Sequence, residues 1–223
     1  MTPRERMPAT GLRRLGVFGG TFDPPHVGHL ALAEWAREAL ALDRVLFVPA
    51  GAPPHKRGHR TPAAARVAMT RAAVRGNAAF RVSTLEARRP GPSYTIDTLR
   101  ALAARHRGAE LWLIVGADMY ASMGTWREAR AIARLARIAV ASRPGAARPA
   151  RAAWARAGQA ITWLANPAFE VSSSAVRSRT RSGHSVRYLV PDAVARYIAA
   201  HRLYRANAGR AANAAPRARR AAG

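Results

Sequence analysis

Cysteine is absent from all 223 residues. That removes disulfide scaffolding, thiolate catalysis and Cys-ligated zinc or iron–sulfur centres from the functions open to the chain. It also fits a reducing compartment, so the expected location is cytoplasmic. No apolar run approaches the length of a membrane span, and none is expected. The basic opening MTPRERMPATGLRR has no apolar stretch behind it. Residues 1–13 therefore read as a disordered lead-in rather than a secretory signal, with Met7 as an alternative start. Acidic residues are scarce: 12 Asp and Glu face 37 Lys and Arg, a formal net charge of +25. Such a surface attracts polyanions. Yet the basic residues are nearly all arginines scattered among alanines. They lack the aromatic interleaving, zinc-finger spacing or RNP-like run of a nucleic-acid reader. A bias toward Arg and Ala accounts for most of the charge, and no specific nucleic-acid partner is expected.

What is present is enough apolar residue, 49% of the chain, for one good core. Short apolar runs bounded by glycine and proline read as strands: Leu15–Phe18, Arg44–Val48, Phe80–Ser83, Leu111–Val115, Arg137–Ala141 and Ile161–Leu164. Helical patterns fall between them. The first starts near Gly28 and turns Leu32, Trp35, Ala36 and Ala39 to one face. Others are expected from Thr61-Pro62 through Val74, from Tyr94 to His106, near Trp126–Leu135 and over Ala150–Ala157. This alternation predicts an α/β fold, a mostly parallel sheet with helices on both faces. The core is expected over residues 14–170. After Glu170 the rhythm becomes helical, with Ser172–Arg181 and Pro191–Tyr204 forming a small C-terminal helical part over 171–205. Residues 206–223 hold Ala, Arg, Asn and Gly without apolar periodicity and read as a disordered basic tail.

In an open α/β sheet, ligands bind beyond the carboxyl ends of the strands. The segment FGGTFDPPHVGHL, Phe18–Leu30, falls there. Gly19 and Gly20 permit close backbone approach to anionic oxygens, and a helix starting near Gly28 aims free N–H groups at the same place. His26 and His29 bracket Gly28, where two imidazoles can donate to phosphate oxygens as charge develops on a leaving group. The segment is neither the dinucleotide-binding G-x-G-x-x-G pattern nor a P-loop, which disfavours a redox enzyme of the dinucleotide-binding type.

His26-Val27-Gly28-His29 closely resembles the H-x-G-H motif of the nucleotidylyltransferase superfamily. The partner motif of that superfamily, I-S-S-T-x-I-R, is similar to Val171-Ser172-Ser173-Ser174-Ala175-Val176-Arg177, where Ser174 keeps the hydroxyl of the usual threonine. Further stretches resemble one branch, the bacterial nicotinate-nucleotide adenylyltransferases. They are Pro53-Pro54-His55-Lys56, Ser93-Tyr94-Thr95-Ile96-Asp97-Thr98-Leu99, Gly116-Ala117-Asp118 followed by Trp126, and Arg143-Pro144-Gly145. The likeness runs from about Leu15 to Tyr204. Phosphopantetheine adenylyltransferases, the nearest alternative, share the two terminal motifs but not the interior ones.

The resemblance implies a Rossmann-like fold and adenylyl transfer from ATP to nicotinate mononucleotide. It implies catalytic roles for His26, His29, Arg177 and Lys56. Gly19, Gly20, Thr21, Phe22, Gly28, Gly116, Asp118, Ser173 and Ser174 would line the ATP site. Tyr94 and Thr95 would receive the nicotinate carboxylate at a helix start, and Trp126 would stack on the pyridine ring. The other tryptophans, Trp35, Trp112, Trp154 and Trp163, are expected in the core. Mg²⁺ would arrive with ATP, no residue set of the protein being assigned to a metal. Asp23 would orient the turn or a metal-bound water rather than act as a base. Oligomeric state is not legible in the sequence.

Overall fold

The computed structural model describes residues 12–52, 61–142 and 161–205. Lys56 with its Pro-Pro-His neighbours, Arg143-Pro144-Gly145, Trp154 with the helix expected around it, and the basic tail lie outside the described residues.

Six strands form one sheet: β1 (Arg14–Gly20), β2 (Arg44–Pro49), β3 (Phe80–Val82), β4 (Glu110–Gly116), β5 (Arg137–Ala141) and β6 (Ile161–Leu164). Their order is β3-β2-β1-β4-β5-β6, and every pairing is parallel. The mostly parallel sheet expected from the sequence is thus wholly parallel among the described residues. Successive strand side chains point to opposite faces. Leu15, Val17, Leu111, Leu113, Val115, Ile138 and Val140 therefore build one core, against α3 (Thr95–Arg105), α4 (Ala117–Ser122) and α5 (Ala129–Leu135). Phe18, Val45, Phe47, Trp112 and Ile114 build the other, against α1 (Val27–Ala39) and the end of α2 (Ala63–Val74). The C-terminal helices α6 (Ser173–Arg181) and α7 (Asp192–Ala200) lie outside the sheet. Val176, Val194 and Ile198 pack there against Met69 and Ala73 of α2. No helix among the described residues is long and apolar enough to cross a membrane.

The strand order reverses between β1 and β4, which pair directly although two other strands separate them in sequence. A crevice opens at such a switch point beyond the carboxyl ends of the strands. Gly20 ends β1 and Gly116 ends β4, so both lie at its mouth.

Several elements differ from the sequence reading. The first strand, expected to end at Phe18, continues through Gly19 and Gly20, and the left-handed residue of the following turn is Phe22, with φ 49°. Helix α1 buries Ala33 and Ala36 and leaves Trp35 41% exposed, rotating its inner face away from the expected one. Alanines let that helix lie close to the sheet, where a tryptophan would hold it off. Trp112 is buried and Trp163 is partly buried against the core. Helix α2 is entered through Pro62 at its N-cap, and Thr61 bonds elsewhere. Helix α4, absent from the sequence reading, follows β4 directly and carries Asp118 in its first turn. The helix expected from Trp126 starts only at Ala129, because Trp126 is extended and Glu128 is left-handed at φ 53°.

Candidate active site

The turn after β1 and the start of α1 are held by the C-terminal helices. Ser173 Oγ donates to the Pro24 carbonyl at 2.8 Å, and Arg177 Nη1 donates to the Asp23 carbonyl at 2.7 Å. Arg177 Nη2 donates to Ser174 Oγ at 3.1 Å. Ser172 caps α6 by accepting from the Ala175 N–H, and the Val27 N–H of α1 donates to the Leu189 carbonyl. The two motifs recognised separately in the sequence therefore meet. The starts of α1 and α6 lie side by side, each with the positive end of a helix dipole and N–H groups suited to anions.

His26 is the N-cap of α1 and is buried. Its backbone N–H donates to His29 Nδ1 at 3.2 Å, and the two rings stack with centroids 3.7 Å apart. An accepting Nδ1 places the proton of neutral His29 on Nε2, leaving that N–H as a donor. Burial lowers the His26 pKa to about 4, so the ring is neutral near pH 7. A Cβ at position 28 would approach His26 Nδ1 and Phe169 Cβ, each at 3.2 Å. Glycine thus lets the ring and the segment around Phe169 close over the helix start.

The remaining nucleotide-side residues divide. A Cβ at Gly19 would meet open space, whereas one at Gly20 would reach the Phe22 ring at 2.9 Å. Gly20 accordingly serves packing. Phe22, expected against ATP, is 2% exposed, its ring within 5.1 Å to 5.6 Å of those of His29, Phe18 and Phe47. Only its backbone can face a ligand. Thr21 accepts from Arg66 through its carbonyl. The position equivalent to Gly116 Cβ is open, and Asp118 is exposed on α4.

Across the crevice, α3 starts at Thr95 after an extended Tyr94 whose side chain makes no cap. The Arg127 guanidinium sits over the Tyr94 ring at 4.8 Å and approaches Asp97 at 4.0 Å, while Arg100 and Glu128 pair at 2.6 Å. These contacts bring the Trp126 segment beside the α3 start. Trp126 is partly buried against the core and also partly open.

A family model described as cytidylyltransferase-like matches residues 17–179. A probable nicotinate-nucleotide adenylyltransferase of Roseiflexus sp. (strain RS-1) is 50% identical over 196 residues, covering 86% of this chain and 98% of that protein. One from Thermomicrobium roseum is 45% identical over 198 residues, covering 87% and 92%. One from Geobacter sulfurreducens is 42% identical over 211 residues, covering 86% and 98%. The chain belongs to the nicotinate-nucleotide adenylyltransferase family. Among solved structures, the Plasmodium falciparum nicotinic acid mononucleotide adenylyltransferase complexed with NaAD superposes with a TM-score of 0.72 at 15% identity, covering 86% of this chain and 97% of that one. At that identity the likeness is one of fold.

Two buried charges in this adenylyltransferase escaped the sequence reading. Arg66 of α2 is 2% exposed. Its Nη1 donates to the Thr21 carbonyl at 2.8 Å, Nη2 to Gly51 at 3.0 Å and Nε to Thr61 at 3.0 Å. One planar fork thus ties the turn after β1 to the end of β2 and the entry to α2. Glu86 is 7% exposed and accepts from Thr98 Oγ1 at 2.7 Å, and burial raises its pKa against the hydrogen bonds from Thr98 and Ser93 and the charge of Arg89. Ser93 Oγ in turn accepts from the Gly51 N–H at 3.0 Å. A Cβ on Gly51 would collide with the Glu86 carbonyl oxygen, so only glycine fits between these braces. Asp23 is also committed: Oδ1 accepts from Tyr204 Oη at 2.6 Å and Oδ2 from the Thr61 N–H at 3.4 Å. That carboxylate orients the turn, and burial of Tyr204, together with its hydrogen bond to Asp23, pushes the phenol pKa up. No cluster of three His, Asp or Glu side chains suited to a metal occurs among the described residues.

Proposed function

We propose that this enzyme transfers the adenylyl group of ATP to nicotinate mononucleotide, forming nicotinate adenine dinucleotide and pyrophosphate. The observation that carries the reading is the meeting of the α1 and α6 starts, joined by Arg177, at the sheet's switch point. The triphosphate lies across those two helix ends. His29 Nε2–H, His26 and Arg177 donate to its oxygens, and Lys56 adds a point charge. The Gly19 backbone gives close approach, and Gly116 and Asp118 face the nucleotide's sugar. Ser174 acts through Arg177, and Ser173 by holding Pro24.

The acceptor lies with its carboxylate at the N–H groups of Tyr94 and Thr95 and its ring on Trp126. A helix start prefers the carboxylate to the uncharged amide. Its 5′-phosphate oxygen attacks the α-phosphorus, a new P–O bond forms, the bond from the α-phosphorus to its bridging oxygen breaks, and pyrophosphate leaves. The nucleophile is already anionic, so the residues need only position and stabilise charge. Hydrogen-bond donors dominate the site and Asp23 is occupied, which suits Mg²⁺ carried on ATP oxygens, where it would neutralise phosphate charge.

A pyrophosphate-release assay with ATP and Mg²⁺ tests the reading, with nicotinate mononucleotide, nicotinamide mononucleotide and phosphopantetheine compared side by side. Turnover is expected fastest with the first. No turnover with it, against clear turnover with phosphopantetheine, would reverse the assignment.

A further inference from the structure

Helix α7 ends at Ala200, and residues 201–204 form a turn that carries Tyr204 back to the segment after β1. Within it Arg202 and Tyr204 are both left-handed, with φ 49° and 63°. The Arg202 N–H donates to the Ala199 carbonyl and the Leu203 N–H to the Ile198 carbonyl. Left-handed backbone is costly for residues other than glycine and persists where surrounding contacts hold it. This turn packs the Tyr204 ring into the cluster of Met69, Val194 and Ile198, and its hydroxyl donates to Asp23 Oδ1 at 2.6 Å. So short a bond to a carboxylate belongs to the strong, charge-assisted class.

Asp23 is 5% exposed. Its main-chain carbonyl accepts from Arg177 Nη1 at 2.7 Å, yet the described residues show no ion pair between its carboxylate and that guanidinium. A carboxylate and a guanidinium so close in the structure would ordinarily close a paired fork. Tyr204 holds Oδ1 instead, and the Thr61 N–H, at 3.4 Å from Oδ2, is a long second donor. The Arg177 charge also acts on the Tyr204 hydroxyl, opposing the upward push that burial and Asp23 give its pKa. Tyr204, Asp23 and Arg177 therefore share one locality at the crevice.

We propose that Tyr204 is a positioning residue that keeps the Asp23 carboxylate off Arg177, so that the guanidinium stays open to the phosphates of ATP. The inference rests on the reading that Arg177 meets those phosphates. Without the hydroxyl, the buried carboxylate is short of a donor, which is costly. The guanidinium already bound to the same residue is the charged donor at hand. Its capture would withdraw Arg177 from ATP and leave the acceptor side, around Tyr94 and Trp126, untouched.

Tyr204→Phe, which keeps the ring and removes the hydroxyl, tests this beside Asp23→Asn and the two combined. ATP affinity is measured by equilibrium dialysis without acceptor, together with steady-state constants and a thermal melt. Tyr204→Phe is expected to weaken ATP binding about tenfold, the scale of one lost hydrogen bond to a charged group. KM for nicotinate mononucleotide should stay at its wild-type value. The combined variant is expected to recover most of the ATP affinity, because a neutral amide does not hold a guanidinium as a carboxylate does. ATP bound as tightly by Tyr204→Phe as by the wild type, with only Tm lowered, would overturn the role and leave the proposed reaction standing. Weakened ATP binding that Asp23→Asn deepens instead of relieving would also overturn it. A wild type that binds no ATP would overturn the reading of Arg177 and this role with it.

Discussion

Arg177 reaches across 154 residues of chain to donate to the Asp23 carbonyl at 2.7 Å, so the last motif of the protein holds the first turn. Its second nitrogen bonds Ser174, leaving the fork fixed at the mouth of the crevice. A group so placed contributes little to fold stability, because its bonds are partly exposed, and in the proposed reaction its role would be charge stabilisation in the transition state. Arg177→Ala is expected to lower kcat by roughly a hundredfold or more, the scale of a lost transition-state donor. Arg177→Lys should recover only part, since an ammonium cannot make both bonds at once. Steady-state kinetics beside a thermal melt checks this. A large fall in Tm with little change in kcat would make the residue a structural strut only.

His26 supplies a pH dependence with a definite sign. Its pKa is lowered to about 4 in the folded protein, against 6.5 for the free side chain. The unfolded chain therefore binds the proton more readily. The stability due to the buried neutral ring is complete above pH 6.5 and is lost as pH falls from 6.5 to 4. Across that window the loss is roughly 3 kcal/mol. Urea unfolding of wild type and His26→Gln at pH 7 and pH 5 measures it, with the variant showing the shallower slope. A ring resonance of His26 titrating near 6.5 in the folded protein would contradict the burial argument.

The strands were legible because each is a short apolar run closed by glycine or proline, and the parallel order follows from helices between them. The H-x-G-H and S-S-S-x-x-R segments were legible as helix starts, which the structure brings together, because their residue types suit such positions. Other features had no sequence signal. Helix α4 spans six residues, too few to show a helical period. The phase of α1 was misread because tryptophan outweighs alanine in any hydrophobic count, although it is Ala33 and Ala36 that let the helix meet the sheet. Arg66 is one of 37 basic residues, and its burial depends on three carbonyls from separate loops. Tyr204 meets Asp23 across 181 residues, a contact that no local pattern announces.

Arg66 therefore offers a test of how the crevice is built. Replacing it with methionine keeps most of the volume but leaves the Thr21, Gly51 and Thr61 carbonyls without their donor. Arg66→Met is expected to cost roughly 3 kcal/mol of stability or more, at 1–3 kcal/mol for each unsatisfied buried group. Arg66→Lys should fall between, since one ammonium cannot span all three loops. Urea midpoints give the ranking. A methionine variant with a wild-type midpoint would mean that water readily replaces the guanidinium.

Trp126 separates the two halves of the proposed reaction. It lies beside the α3 start, joined to that helix through the Arg127 contact with Tyr94 and the Arg100–Glu128 pair. In the proposed reaction a ring platform there would bind the acceptor and not ATP. Trp126→Ala is expected to raise KM for nicotinate mononucleotide about tenfold while leaving KM for ATP near its wild-type value, as stacking worth about 1–3 kcal/mol would give. Trp126→Phe should restore much of the loss, because a smaller aromatic face still stacks. A structural effect on the core would instead change both constants and the melting temperature together, and phenylalanine would then rescue all three in parallel.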